Sequence, residues 1–286
     1  MSTVPTTAPA PTTGTPPARL ADVVAATRTA GVATTAGQVA VHTVRQFART
    51  PQLLVVNTIQ GAMFLLIFRY VFGGAIESGP VPYVDFLVPG FVVTSVLFAG
   101  TSASSGVAED VEKGFFDRLR SLPVSRAALL AGRAVADTAL LTWGLVVTTA
   151  VGFLVGFRIH GSVAQALAAF GLCVLYGFAF TWLFVLIGLM AGNAQAAQGM
   201  SLLVFPLTFV SSAYVPVDSM PGWLQPVAEH QPLTIMTNAV RSLALGDPAL
   251  AGLDHSIGHW VGLSLVWSAA LIAVFAPLAV ARYRRS

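Results

Sequence analysis

The chain has 286 residues, 55% of them hydrophobic and only 9% charged, with 15 basic against 12 acidic side chains for a net charge of +3. So small a charge implies no nucleic-acid partner, and the single cysteine, Cys173, excludes an intrachain disulfide or a cysteine metal cluster. Several apolar runs reach the roughly 20 residues needed to cross a hydrocarbon core of about 30 Å, which predicts an all-α integral membrane protein.

Residues 1–18 hold Thr, Pro, Ala and Ser without a charged side chain or an apolar core, and are expected to be a disordered N-terminal tail. Residues 19–50 mix Arg28, Arg45 and Arg49 with Val39, Val44 and Phe47, the pattern of a helix lying along a membrane surface. Residues 51–286 then hold six predicted spans. The first, Leu53–Phe72, carries Asn57, Gln60 and Arg69, and the second is Phe86–Ser105. A charged block, Glu109–Arg126, separates it from the third, Ala134–Phe157, where Asp137 lies one helical turn from Arg133 and is placed to pair with it near the membrane surface. Val163–Met190 is the fourth, and the polar turn Gly192–Gln195 leads into the fifth, Ala196–Tyr214, in which Pro206 marks a kink and a candidate cavity wall. A long segment with Pro216, Pro221, Gly222, Trp223, Pro226 and Pro232 follows, with a helical run over Leu233–Leu245 that is too short to span. Ile257–Ala281 is the sixth.

Six spans put both ends on one side. That side collects four basic residues before the first span, five around the charged block and three at the C-terminus, twelve against only Arg69, Arg158 and Arg241 opposite. The bias places both termini and the charged block in the cytoplasm, and the proline-rich segment outside. Within the block, Phe115, Phe116, Leu119 and Leu122 fall at helical spacing among Glu112, Lys113, Asp117, Arg118 and Arg120, and Pro123 stops the run. Two readings fit these residues: an amphipathic helix that presses its aromatic pair into a groove on a soluble partner, or a charged loop obeying the positive-inside rule.

Motifs for chemistry are missing. The sequence has no G-x-x-x-x-G-K-[ST] loop for a nucleotide, and no acidic or basic residue is predicted deep in a span where ion coupling would need one. His255 and His259 have i, i+4 spacing but lack the glutamate of a zinc-protease helix, so no metal is expected there. Ser211 and Ser212, near Tyr214, have no His and Asp at a spacing that would make a hydrolase.

The run EKGFFDRLRSLPVSRAALLAGRAVAD resembles the first cytoplasmic loop of type-2 ABC transporter permeases. LLVFPLTFVSSAYVPVDSMPGWLQPVAEHQPLT, ending in AVRSLALG, resembles their fifth span and external loop, and RTPQLL and FRYVFGGAI match at the first span. The nearest branch is that of actinobacterial daunorubicin/doxorubicin resistance permeases. The resemblance implies that Glu112, Lys113, Gly114, Phe115, Phe116, Asp117, Arg118, Leu119, Arg120, Leu122 and Pro123 form a coupling helix against a separate ATPase, and that residues 19–50 are a cytoplasmic connecting helix. It further implies short external re-entrant helices shaped by Pro216, Pro221, Gly222 and Trp223 beyond Pro206. The expected protein is a permease of the bacterial plasma membrane that exports an amphipathic, drug-like small molecule. It would pair with a second copy or a paralogue and with two ATPase subunits, which would hold the ATP and Mg, no cofactor or metal residing in this chain. The alternatives are export of a lipid or polysaccharide, and a membrane-embedded enzyme or scaffold that needs no ATPase.

Overall fold

A computed structural model of the chain describes residues 63–73, 81–114, 126–246 and 255–285, and every element among them is helical. The predicted tail, connecting helix and first part of the first span lie outside the described residues. Residues 63–67 are α-helical and run into a π-helical turn, Phe68–Phe72. The remaining α-helices are α1 (Tyr83–Glu112), α2 (Arg126–Leu154), α3 (Val163–Ala191), α4 (Ala194–Leu202), α5 (Pro206–Phe209), α6 (Gln225–His230), α7 (Pro232–Leu245) and α8 (Ile257–Arg285). By length and composition, four of the described helices can cross a membrane, namely α1, α2, α3 and α8.

Local chemistry sets the joints. Ser162 opens α3 with a capping box: its hydroxyl accepts from the Gln165 amide at 3.2 Å while the Gln165 side chain accepts from the Ser162 amide at 2.8 Å. The polar turn expected at Gly192–Gln195 is present. Gly192 takes a left-handed φ of 76° that ends α3, and the Asn193 side chain accepts from the Ala196 amide at 2.8 Å to start α4.

In the apolar stretches of α1 and α3, 72% and 67% of residues are buried, against 28% and 22% in α2 and α8, so the first pair is the centre and the second faces outward. α1 and α3 pack along each other, with Phe91, Tyr176 and Phe184 in a core that also takes Leu141 from α2 and Met236 from α7. Lipid tails are as apolar as these side chains, so close packing rather than water exclusion holds such helices together. Gly188 of α3 shows how close: a Cβ there would sit 2.5 Å from the Ser104 carbonyl oxygen of α1. α7 is too short to span, yet its residues from Leu233 to Leu245 are all buried against α1, α3 and α8. Its C-terminal carbonyls are satisfied from the α2–α3 loop, where the His160 and Gly161 amides both donate to the Ala244 oxygen at 3.0 Å.

The second predicted span lies wholly within α1, which runs on past Ser105 through Glu109 and Asp110 to Glu112, polar residues that find partners at its end. The fifth is not one helix. α4 stops at Leu202, turns occupy residues 203–205, and Pro206 begins the four-residue α5. A proline withholds the amide that residue 202 would accept from, so the helix gives way in the turn before it.

Candidate functional site

Three features share the length of α1: an ionic cluster at its C-terminal end, a cavity at its middle, and a buried arginine at its N-terminal end. In the ionic cluster, Arg133 of α2 donates through Nε to both oxygens of Asp137, at 3.1 and 3.0 Å, one helical turn onward. Its Nη1 reaches across to the Asp110 carboxylate of α1. Gly106 makes room for it, since a Cβ there would lie 2.4 Å from the guanidinium Nη2. The i, i+4 spacing foretold the Arg133–Asp137 pair, but not its burial or its third member, which comes from a helix 23 positions earlier. Breaking a buried pair of this kind costs roughly 3–5 kcal/mol, because the partner left behind stays charged.

The cavity has a volume of about 460 Å³ and lies between α1, α2 and α4, with Phe64 on its wall. Aromatic rings dominate it: Phe64, Phe91, Phe98, Trp143, Phe184 and Phe205. Phe98 meets Phe64 at 6.5 Å and Phe205 edge-on at 5.2 Å between centroids, so the walls are held by their own ring contacts. Asp137 is its one ionisable lining residue among the described residues.

At the other end Arg241 of α7 is 3% exposed and lies 3.8 Å from the centre of the Phe86 ring. Its Nε and Nη2 donate to the Phe86 carbonyl at 3.2 and 3.0 Å, Nη2 also to the Ser212 carbonyl at 2.9 Å, and Nη1 to Asn238 Oδ1 at 3.3 Å. Among the described residues no carboxylate pairs with it. The same end is tied by Tyr214, whose hydroxyl donates to Thr94 Oγ1 at 2.9 Å, and by Gly90, where a Cβ would lie 2.0 Å from the Ala213 oxygen. Sequence reasoning counted Arg241 as an outward cation. Its position inside α7, between Asn238 and Leu245, was the available signal of burial.

The residues expected to shape the re-entrant region lie in the segment that links α5 to α7. Pro216 caps a 3₁₀ turn, Val217–Ser219, and Pro221 and Gly222 form the turn before α6, the Pro221 carbonyl accepting from the Leu224 amide at 2.8 Å. Trp223 is 77% exposed, so most of its ring is left uncovered by the described chain. Pro206 is the first residue of α5. Ser211 donates to the Thr208 carbonyl at 2.6 Å and Ser212 to Asn238 Oδ1 at 2.9 Å, so both hydroxyls serve the fold. The His255 and His259 rings meet at a tilt with centroids 4.1 Å apart, and among the described residues no group of three or more metal-type side chains converges.

Of the expected coupling helix, only three residues are described. Glu112 closes α1, Lys113 caps it with its backbone amide donating to the Glu109 carbonyl at 2.9 Å, and Gly114 turns away with φ 63°. These three therefore belong to the end of α1, and only glycine takes that left-handed turn without strain. Exposed Lys113 also donates to Glu109 at 2.5 Å, which holds its ammonium above the usual lysine pKa. Phe115, Phe116, Asp117, Arg118, Leu119, Arg120, Leu122 and Pro123 lie outside the described residues.

Comparison with known proteins matches residues 37–245 to the ABC-2 type transporter family. The chain is 34% identical over 240 residues to the daunorubicin resistance ABC transporter permease protein DrrB1 of Streptomyces coeruleorubidus, covering 83% of this chain and 82% of that one. It is 31% identical over 238 residues to the probable doxorubicin resistance ABC transporter permease protein DrrC of Mycobacterium tuberculosis, covering 80% and 82%. With the probable multidrug ABC transporter permease YbhR of Escherichia coli it shares 25% identity over 195 residues, covering 68% and 52%. Matched along most of its length and carrying helices long and apolar enough to cross a membrane, the chain belongs to the ABC-2 type transporter family, as a multi-pass bacterial membrane permease subunit that is not itself catalytic, in a family that implies partnership with an ABC ATPase.

Proposed function

We propose that the protein is the membrane subunit of an ATP-driven exporter that moves an amphipathic, drug-like compound out of the cell. The observation that carries this reading is the aromatic-lined cavity of about 460 Å³ inside a chain similar to permeases named for drug resistance. A volume in the range of about 300–1,000 Å³, mostly apolar with a few polar groups, suits a small molecule better than a polymer. The working unit pairs this chain with a second copy or a paralogue and with two ATPase subunits, which hold the ATP and Mg. The topology is six spans with both termini in the cytoplasm of a bacterial plasma membrane, supported by the twelve-to-three distribution of basic residues. Residues 19–50 are the cytoplasmic connecting helix, and residues 115–123, with Phe115 and Phe116 as anchors, dock on the ATPase. ATP binding and hydrolysis there move the adjoining end of α1, and the helices follow as rigid bodies.

Co-expression with the ATPase encoded beside it, reconstitution into liposomes and measurement of ATP-dependent dye movement test the reading. Saturable outward movement of amphipathic dyes is expected. Failure to form a complex with any ABC ATPase overturns it, and a complex that ignores dyes but moves lipid overturns the cargo alone. Phe115→Ala with Phe116→Ala should weaken ATPase association and leave membrane insertion normal. Unchanged association removes the docking role.

A further inference from the structure

We infer that the groove where α2, α3 and α8 meet seats one membrane phospholipid with an anionic headgroup, its phosphate at Arg284 and one acyl chain along the alanines below. This goes beyond the export reading, from which it takes only that α8 ends at the cytoplasmic face, and it concerns a resident lipid rather than the cargo.

The groove has a volume of about 820 Å³. Its walls are short side chains, Ala127 and Ala131 of α2 and Ala273, Ala276 and Ala281 of α8, and Trp182 of α3, 6% exposed, forms part of its floor. Both α2 and α8 pack on α3 far more than on each other, which leaves the hollow between them. Small residues on a membrane helix let another apolar surface come close.

Two polar groups say which surface. The Trp182 Nε1–H finds no acceptor among the described residues, and the Phe178 ring beside it, edge-on at 6.2 Å, offers no lone pair. A buried donor left in that state costs free energy that an oxygen in the groove would recover. Arg284 stands at the mouth, and a guanidinium matches a phosphate in both charge and geometry. No acidic residue is among the described lining. Basic pockets between helices on the cytoplasmic side hold anionic headgroups in this way.

Depth fits these groups to one lipid. α8 has 29 residues, about 43 Å of helix, so when it is centred on a core of about 30 Å each end overhangs by about 6 Å, or roughly four residues. Arg284 then lies in the headgroup layer and Ala281 at the hydrocarbon boundary. Trp182 packs with Ala276, Ala279 and Val280 just inside that boundary, at the level of ester carbonyls, which accept and do not donate. Ile272 and Ala273 lie deeper, beside the acyl chain. A second copy of the chain fits worse, because α8 against α8 would bring Arg282 and Arg284 of both copies to the same depth.

The test uses the full chain purified in detergent, with retained lipids counted by native mass spectrometry as dioleoylphosphatidylglycerol or dioleoylphosphatidylcholine is titrated. One retained phosphatidylglycerol per chain is expected, bound at least about tenfold tighter than phosphatidylcholine, whose acyl chains are the same. Arg284→Gln should erase most of that preference. Trp182→Phe, which keeps a ring and removes the N–H, should weaken both lipids about equally, and Ala276→Leu should weaken both by filling the groove. Equal retention of the two lipids overturns the inference, as does a preference untouched by Arg284→Gln or retention untouched by both other variants. Retention of neither lipid overturns it, the result if another segment of the chain fills the groove, and so does a chain dimer that Ala276→Leu splits. Because the wild-type ratio is itself the readout, a variant that fails to fold does not remove the test. Neither ATPase nor dye is present, so this measurement and the export assays fail independently.

Discussion

Arg133 and Arg241 are both buried, near opposite ends of α1, and the protein neutralises them differently. Arg133 is held by two carboxylates from two helices, and Arg241 by two carbonyls, one amide oxygen and a ring face. Carboxylates are themselves costly to bury, so the Arg133 cluster is stable only while all three members are present. Carbonyl oxygens cost little when a donor leaves, so the Arg241 site depends on geometry more than on charge balance. The ionic cluster is held by charge balance, whereas the carbonyl cradle is a fixed strap that ties Phe86, Ser212 and Asn238 at the N-terminal end of α1.

Substitutions in both regions sharpen or break this contrast. The largest effect is expected for Arg133→Met, which takes the guanidinium from buried Asp137 and half-buried Asp110 and should cost roughly 3–5 kcal/mol, measured by thermal unfolding in detergent. Adding Asp137→Leu should recover part of the loss, since it removes one uncompensated charge. Arg241→Lys should come next, at about 2–3 kcal/mol, because an ammonium keeps the burial penalty but cannot match the fork of donors. Arg241→Met should cost less than Arg241→Lys, and if it costs as much as Arg133→Met the contrast fails. Gly106→Ala should cost about 1–2 kcal/mol by pushing a Cβ toward the Arg133 guanidinium, and Ala at Gly144, where a Cβ meets nothing, serves as control. The smallest effect belongs to the exposed Lys113–Glu109 pair. Because the folded lysine holds its proton more tightly, the contribution is fully present below the unfolded value near about 10.4 and fades as pH rises through the higher folded value. Lys113→Met should remove that alkaline slope and, because the contribution is fully present at neutral pH, lower stability there by the same small amount.

Much of the bundle was legible because apolar length is a strong signal. Val163–Met190 differs from α3 by one residue, and Ser162, Gly192 and Asn193 carry their caps in plain chemistry. The fifth span was less so, because hydropathy continues through Leu202–Phe209 while the backbone breaks at residues 203–205. Spacing revealed Arg133–Asp137, a contact within one helix. Asp110 and the Phe86 carbonyl come from elsewhere in the chain, and periodicity carries no record of such meetings. The cavity was invisible for the same reason, its walls being drawn from five separate stretches.

The partners of Arg241 also bear on the order of synthesis. Its carbonyl acceptors on Phe86 and Ser212 lie 155 and 29 residues earlier in the chain. A 14-residue helix carrying that charge is a poor candidate for entering a membrane alone, but every acceptor except its neighbour Asn238 has already left the ribosome when it emerges. α7 is thus a late tenant of a prepared socket. A chain expressed in two pieces, cut between α3 and α4, should fold its second half stably only where the first is already in the membrane.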